Sequence, residues 1–246
     1  MFEEILPKRK IGYLLPWHAI DNEAYQFYKL LPEGMMLVML SIGLREFTPK
    51  DVERAFSPLE EYLAMLMERG VDMIVQVGVP LSILMGVENH DKLLTRIEKA
   101  TGLPATSTIS DVVAAAKFLG IRNLVLANKW DSNMNKVLGM FFERDGIRIA
   151  GIHSQAMAPG EFRKQKSDES LALAYQLGRG ALETNPDADG LYIGGGAWLT
   201  FPVVDPLEKE FGKPVITNGN STIWNSCHLV DYWKPIQGYG RLLQSA

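Results

Sequence analysis

Short apolar runs that alternate with amphipathic stretches limit this chain to one kind of architecture. The runs are Ile11–Pro16, Met35–Ile42, Asp72–Val77, Asn123–Ala127, Ile147–Ile152, Gly190–Ile193 and Pro214–Thr217. Most are apolar throughout, as strands covered on both faces are. Between them Lys50–Glu68, Asp91–Thr101, Asp111–Leu119, Ser132–Arg144, Asp168–Glu183 and Pro206–Phe211 read as helices. Several close on a glycine (Gly70, Gly102, Gly120, Gly212), as left-handed C-terminal caps do. Strand and helix in alternation predict parallel sheets made of right-handed βαβ units. With 246 residues and 47% hydrophobic content, the chain can fill one large α/β domain or two small ones.

Charge and composition remove several function classes. A formal net charge of −4 with no basic cluster leaves no footprint for nucleic acid. No run reaches 18 apolar residues, so no membrane span is expected. "MFEEILPKRK" has no apolar signal core, so secretion is not expected either. The single cysteine, Cys227, excludes an internal disulfide and a cysteine metal cluster, and fits a reducing cytoplasm. HExxH, GxSxG, P-loop and GxGxxG patterns are all missing, against zinc proteases, α/β-hydrolases, NTPases and dinucleotide enzymes.

Two segments match without a gap: "GVDMIVQVGVPLS" (Gly70–Ser82) and "DADGLYIGGGAWL" (Asp187–Leu199). Asp72 aligns with Asp189 and Gly78 with Gly195, each pair bracketing a strand. Either two strand ends coincide, or the chain consists of two related halves whose strand C-termini face one another across a cleft. Ligands of open α/β sheets bind outside those C-terminal ends.

These residues carry a resemblance. "IGYLLP", "LLPEG", "LSIGLREFTPKD", "ATGLPATSTISDVVAAAKFLGIRNLVLA", "DGLYIGGGAWLT", "FGKPV" and "GYGRL" are similar, in order and spacing, to the aspartate/glutamate racemase superfamily. Within it the chain resembles the arylmalonate decarboxylase and maleate isomerase branch. The resemblance implies an α/β fold of two similar Rossmann-like (flavodoxin-like) halves with parallel sheets and a cofactor-free site in the cleft between them. Residues 1–110 with 220–246 would form the first half and 111–219 the second. It also implies chemistry on cysteines at two equivalent positions, which here are Gly78 and Gly195. The hydroxyl-bearing carboxylate clamp of the decarboxylase maps to Val79, Pro80 and Trp130. Valine and tryptophan bring no hydroxyl, and proline lacks even an N–H.

What remains is a run of glycines. Gly194, Gly195 and Gly196 read either as a packing turn or as a cradle of backbone N–H groups for an oxyanion. With no thiol in place, His18 of "PWHAI" is the candidate proton carrier, or else a surface histidine. Asp21 and Glu23 follow it as helix-start carboxylates. Pro16, Trp17, Lys129, Trp130 and Asn218 stand at strand ends as candidate substrate contacts, Lys129 for a carboxylate and Trp130 for an apolar or aromatic portion. Asn220 or Ser221 reads also as a helix cap, His90 as a helix-start residue, and Cys227 as a buried, inert thiol beside a His228 on another helix face.

The expectation is therefore an enzyme, related to those families but not thiol-dependent. It would be a cytoplasmic, cofactor-free, metal-free lyase of the decarboxylase kind. Its substrate would be a small carboxylate with an apolar or aromatic portion, and its assembly monomeric or homodimeric. The alternatives are an isomerase, hydrolase or hydratase on a related acid, or a non-catalytic ligand-binding protein on the same scaffold.

Overall fold

The structure, a computed structural model, describes residues 6–19, 21–158, 161 and 164–245, so residues 1–5 of the stretch read for a signal lie outside it. Two four-stranded parallel sheets organise the chain. β1 (Arg9–Leu15), β2 (Met35–Ser41), β3 (Met73–Gln76) and β4 (Ala105–Ser107) form the first, in the order β2-β1-β3-β4. The second holds β5 (Asn123–Asn128), β6 (Arg148–Ser154), β7 (Gly190–Ile193) and β8 (Val215–Thr217) in the equivalent order β6-β5-β7-β8. The helices are α1 (Asn22–Leu30), α2 (Pro49–Phe56), α3 (Leu59–Glu68), α4 (Val79–Thr101), α5 (Thr108–Phe118), α6 (Ser132–Glu143), α7 (Ser167–Thr184), α8 (Phe201–Phe211), α9 (Asn218–Leu229) and α10 (Arg241–Gln244).

The short internal match is a repeat in three dimensions. Asp72, just before β3, accepts from the Lys10 N–H at 2.7 Å, and Asp189, just before β7, accepts from the Arg122 N–H at 3.1 Å. Each carboxylate thus ties its strand to the start of the strand beside it. At the other end Gly78 and Gly195 both take positive φ, +100° and +137°, where a side chain is strained.

Several boundaries differ from the sequence expectation. The helix expected over Lys50–Glu68 is two, because Pro58 has no N–H to continue α2 and opens α3 instead. The helix expected from Asp91 begins at Val79 and bends at Gly86, whose φ of +73° interrupts it. α5 starts at Thr108 because Ser107 caps it, accepting from the Ser110 N–H at 3.1 Å. α8 starts at Phe201, ahead of the expected Pro206, with Pro202 in its first turn. β4 is three residues of mixed polarity, and α1 is a short helix with a carboxylate cap from Asp21. Neither carries the apolar run or the periodicity that marks the others.

The halves join through α5 and α9, which pack on each other within a core cluster containing residues of both sheets, among them Val75, Ile109, Val112, Ile216 and Ile223. Asp111 of α5 lies in this seam, fully buried, and accepts from the Thr106 hydroxyl at 2.5 Å and the Asn225 amide at 2.7 Å. Burial outweighs these bonds and pushes its carboxyl up to about 7. The native chain therefore holds a proton there that the unfolded chain has released. Stability from this site is complete below the ordinary carboxylate value of 3.8 and is lost as pH rises through about 7. The full effect is on the order of 4 kcal/mol. Asp111→Asn, which keeps an acceptor and cannot ionise, is expected to flatten this decline: urea midpoints at pH 5 and pH 8 should differ less in the variant, with the variant more stable at pH 8.

Candidate active site

Four central strands end at one place. The residues after β1 (Pro16, Trp17), β3 (Gly78, then Pro80 and Leu81), β5 (Lys129, Trp130) and β7 (Gly194 to Trp198) line a cleft of about 390 Å³, closed by Asp21, Glu23, Phe47 and Gln165. Trp17 stands edge-on to Phe47, ring centroids 4.7 Å apart, so one wall is apolar and aromatic.

Lys129 is held rigidly in the opposite wall. The buried Asn128 before it accepts from the Trp130 N–H at 2.9 Å and donates to Asn135 at 2.6 Å, and the Lys129 carbonyl accepts from the Met157 N–H at 3.0 Å. The side chain is 4% exposed. Its Nζ donates to the Gln165 amide oxygen at 3.0 Å and lies 4.4 Å above the centre of the Trp198 ring. Burial pulls its ammonium down to about 8.

The glycine turn is stapled from both sides. The Gly194 N–H donates to the Ala127 carbonyl at 2.8 Å, and the Gly195 N–H to Asn218 Oδ1 at 3.3 Å, an oxygen that also accepts from the Tyr192 hydroxyl. Two of the three N–H groups expected to cradle an oxyanion are thus bound internally. The N–H groups of Gly196 and Ala197 have no acceptor among the described residues, and both residues line the cleft. From the other half Gln26 of α1 donates to the Trp198 carbonyl at 3.1 Å and accepts from the N–H groups of Thr200 and Phe201. Asn22 donates to the Ala197 carbonyl at 3.1 Å.

Glu23 comes with them. It sits in the first turn of α1, half-buried, with its carboxyl so close to the turn that a Cβ on Gly196 would lie 2.7 Å from Oε1. Burial pushes this carboxyl up to about 7. At neutral pH it is therefore an acid with a proton to give.

The structure brings together Pro16, Trp17, Gly78, Lys129, Trp130, Gly194, Gly195 and Gly196. It does not bring His18 there. That imidazole is exposed, 3.4 Å from the Ser41 hydroxyl and folded over Gly43. Val79 is fully buried at the start of α4, outside the lining, and Asn218 stands behind the turn as the acceptor for Gly195. Glu23 is legible in the sequence only as a helix-start carboxylate, because its burial depends on a turn more than 170 residues away. Sealed elsewhere, His90 Nε2 lies 2.7 Å from the Ser107 hydroxyl and Nδ1 3.0 Å from Asp91. Both His90 and Ser107 are inaccessible, and Ser107 serves as a helix cap. Cys227 packs against the Met35 sulfur, its thiol pushed up to about 12 by burial. Among the described residues no group of His, Cys, Asp and Glu could hold a metal ion, and no helix is long and apolar enough to cross a membrane.

A cleft at the strand ends of two repeated α/β halves is where such folds bind small ligands, and with the family match that follows, the chain is an enzyme of the lyase or isomerase class. The sequence profile of the arylmalonate decarboxylase family matches residues 18–243, and the chain belongs to that family. It is 25% identical over 239 residues to arylmalonate decarboxylase of Bordetella bronchiseptica, covering 96% of this chain and 97% of that one. The fold is shared with unliganded arylmalonate decarboxylase (TM-score 0.82, 22% identity, 97% and 100% of the two chains). It is shared also with a mutant Nocardia farcinica maleate cis-trans isomerase carrying a covalently bound succinylcysteine intermediate (TM-score 0.80, 18% identity, 96% and 98%).

At both positions where the resemblance implies a thiol, a side chain would be strained by positive φ, and at Gly195 it would also be crowded. A Cβ on Gly195 would collide with the Trp198 indole nitrogen, and one on Gly78 would come within 3.3 Å of the Pro16 ring. Gly195→Cys is therefore expected to lose about 3 kcal/mol, from positive φ and overpacking together. Thermal melting checks the loss. A stable variant with an unmoved Trp198 would contradict it.

Proposed function

We propose that this chain is a cofactor-free decarboxylase of small carboxylates with an apolar or aromatic portion, aryl- or alkylmalonates being the first to test. The observation that carries the reading is one cleft that pairs a buried cation, Lys129, with a carboxyl, Glu23, that is half protonated near neutrality. The retained carboxylate pairs with Lys129 and takes the N–H groups of Gly196 and Ala197. The departing carboxylate lies against Pro16, Trp17, Pro80 and Leu81, where an unpaired charge is poorly solvated and carbon dioxide is not. Bond cleavage leaves an enediolate, whose developing charge the same cation and N–H groups meet. Glu23 then protonates the carbon.

His18 is replaced in this role because it stands outside the cleft. Thiol addition and elimination, the isomerase alternative, has no sulfur at either position. The single cysteine supports a cytoplasmic setting.

Carbon dioxide release and deuterium incorporation from aryl- and alkylmalonates, followed by NMR, test the reading. Glu23→Gln should lower turnover at least 100-fold, in the range of a lost general acid. His18→Ala should stay within about twofold of the parent, as substitutions off the site do. Turnover should fall as pH rises from 7 to 8, since Glu23 loses its proton and Lys129 its charge over that interval. Binding without conversion of any malonate would make the chain a ligand-binding relative and remove the decarboxylase reading.

A further inference from the structure

Lys129 is placed for more than pairing with an anion. The peptide group that follows it is fixed at both its N–H and its carbonyl, and the residue is 4% exposed, beside the Gln165 amide and the Trp198 ring. A desolvated amine in an aromatic pocket, with a carboxyl acid in the same cleft, is the arrangement that turns a carbonyl compound into an imine. Nearby Trp17 and Trp130 offer flat surface for the group flanking that carbonyl. We infer that Lys129 is a nucleophile that forms an imine with small β-keto acids bearing an apolar or aromatic group and releases carbon dioxide from them. The inference rests on the proposed function only in taking this cleft as a carboxylate site, since malonates have no ketone and cannot follow the route.

Each step closes on groups in the cleft. The Lys129 lone pair attacks the ketone carbon, making the C–N bond, and the oxygen takes up a proton. Loss of water leaves an iminium at Nζ. The bond to the carboxylate breaks, its electron pair moves toward the iminium to give an enamine, and carbon dioxide departs. Glu23 protonates the enamine carbon, and water adds to the regenerated iminium to free the ketone and the amine. The net change is one keto acid anion and one proton converted to ketone and carbon dioxide, with nothing oxidised or reduced.

Benzoylacetate with sodium borohydride is the probe. Intact-mass and peptide mapping of the full chain should find one reduced acetophenone adduct, on Lys129. Its yield should rise between pH 7 and pH 9, as the amine becomes neutral through about 8. Asp21 and Glu23 are the carboxyls lining the cleft with it, and both favour the charged amine once ionised. Lys129→Arg, which keeps a cation but not a nucleophile, should show at least a tenfold loss of adduct at unchanged circular dichroism. Mapping the adduct in the unaltered protein answers the question even if that variant does not fold. Glu23→Gln should still give adduct while carbon dioxide release slows, separating imine formation from proton delivery.

Adduct on other lysines only, equal adduct in Lys129→Arg, or carbon dioxide release from benzoylacetate without any adduct would each overturn the inference. Malonate turnover on the same preparation keeps the two readings apart: turnover without adduct refutes the imine alone, and adduct without turnover refutes the malonate reading alone.

Discussion

The amide of Gln26 is the contact on which the site depends. It is 2% exposed and spans from the first half to the second, donating to the Trp198 carbonyl while its oxygen collects the N–H groups of Thr200 and Phe201. The acceptances complete the start of α8, a helix whose own N-terminal N–H groups would otherwise be orphaned. Because the same helix α1 carries Glu23 one turn earlier, this one side chain fixes both the glycine turn and the acid relative to each other. Breaking it would leave buried polar groups on both halves without partners, a larger loss than one ordinary hydrogen bond.

Around that contact lies a cleft with no thiol among its described lining residues. At the two positions where the resemblance implies cysteines this chain has Gly78 and Gly195, and its single cysteine, Cys227, is buried away from the cleft. In the function proposed for this cleft, the chemistry comes from backbone N–H groups and from groups whose protonation is tuned by burial. Lys129 and Glu23 are both moved toward neutrality by desolvation, the ammonium downward and the carboxyl upward. Burial thus acts on opposite charges with one effect, bringing a base and an acid to neighbouring pH values.

Much of the scaffold was legible in the sequence. Apolar runs mark seven of the eight strands; the central ones are covered on both faces, the edge strands β2 and β6 only in part, and the glycine breaks after β3 and β7 mark where those strands end. The repeat was visible in one aspartate and one glycine per half, since each performs the same backbone task twice. What escaped depends on distant partners or on weak local signal. β4 is too short and too polar to read, and α1 has too few turns. Glu23 looks like any helix-start carboxylate until Gly196 is set beside it. His18 has the chemistry for proton transfer, but its loop lays the ring over Gly43, which no local pattern reveals.

The sealing of Cys227 has a consequence for the conditions under which such an enzyme works. Its thiol lies against Met35 with an ionisation near 12, and no sulfur stands among the described residues that line the cleft. A thiolate is the form that peroxide oxidises and electrophiles alkylate. The catalyst proposed for this cleft, a carboxyl, an amine and backbone N–H groups, offers them no such target. Under the proposed function, therefore, activity withstands the peroxide and alkylating agents that silence a thiol-dependent enzyme.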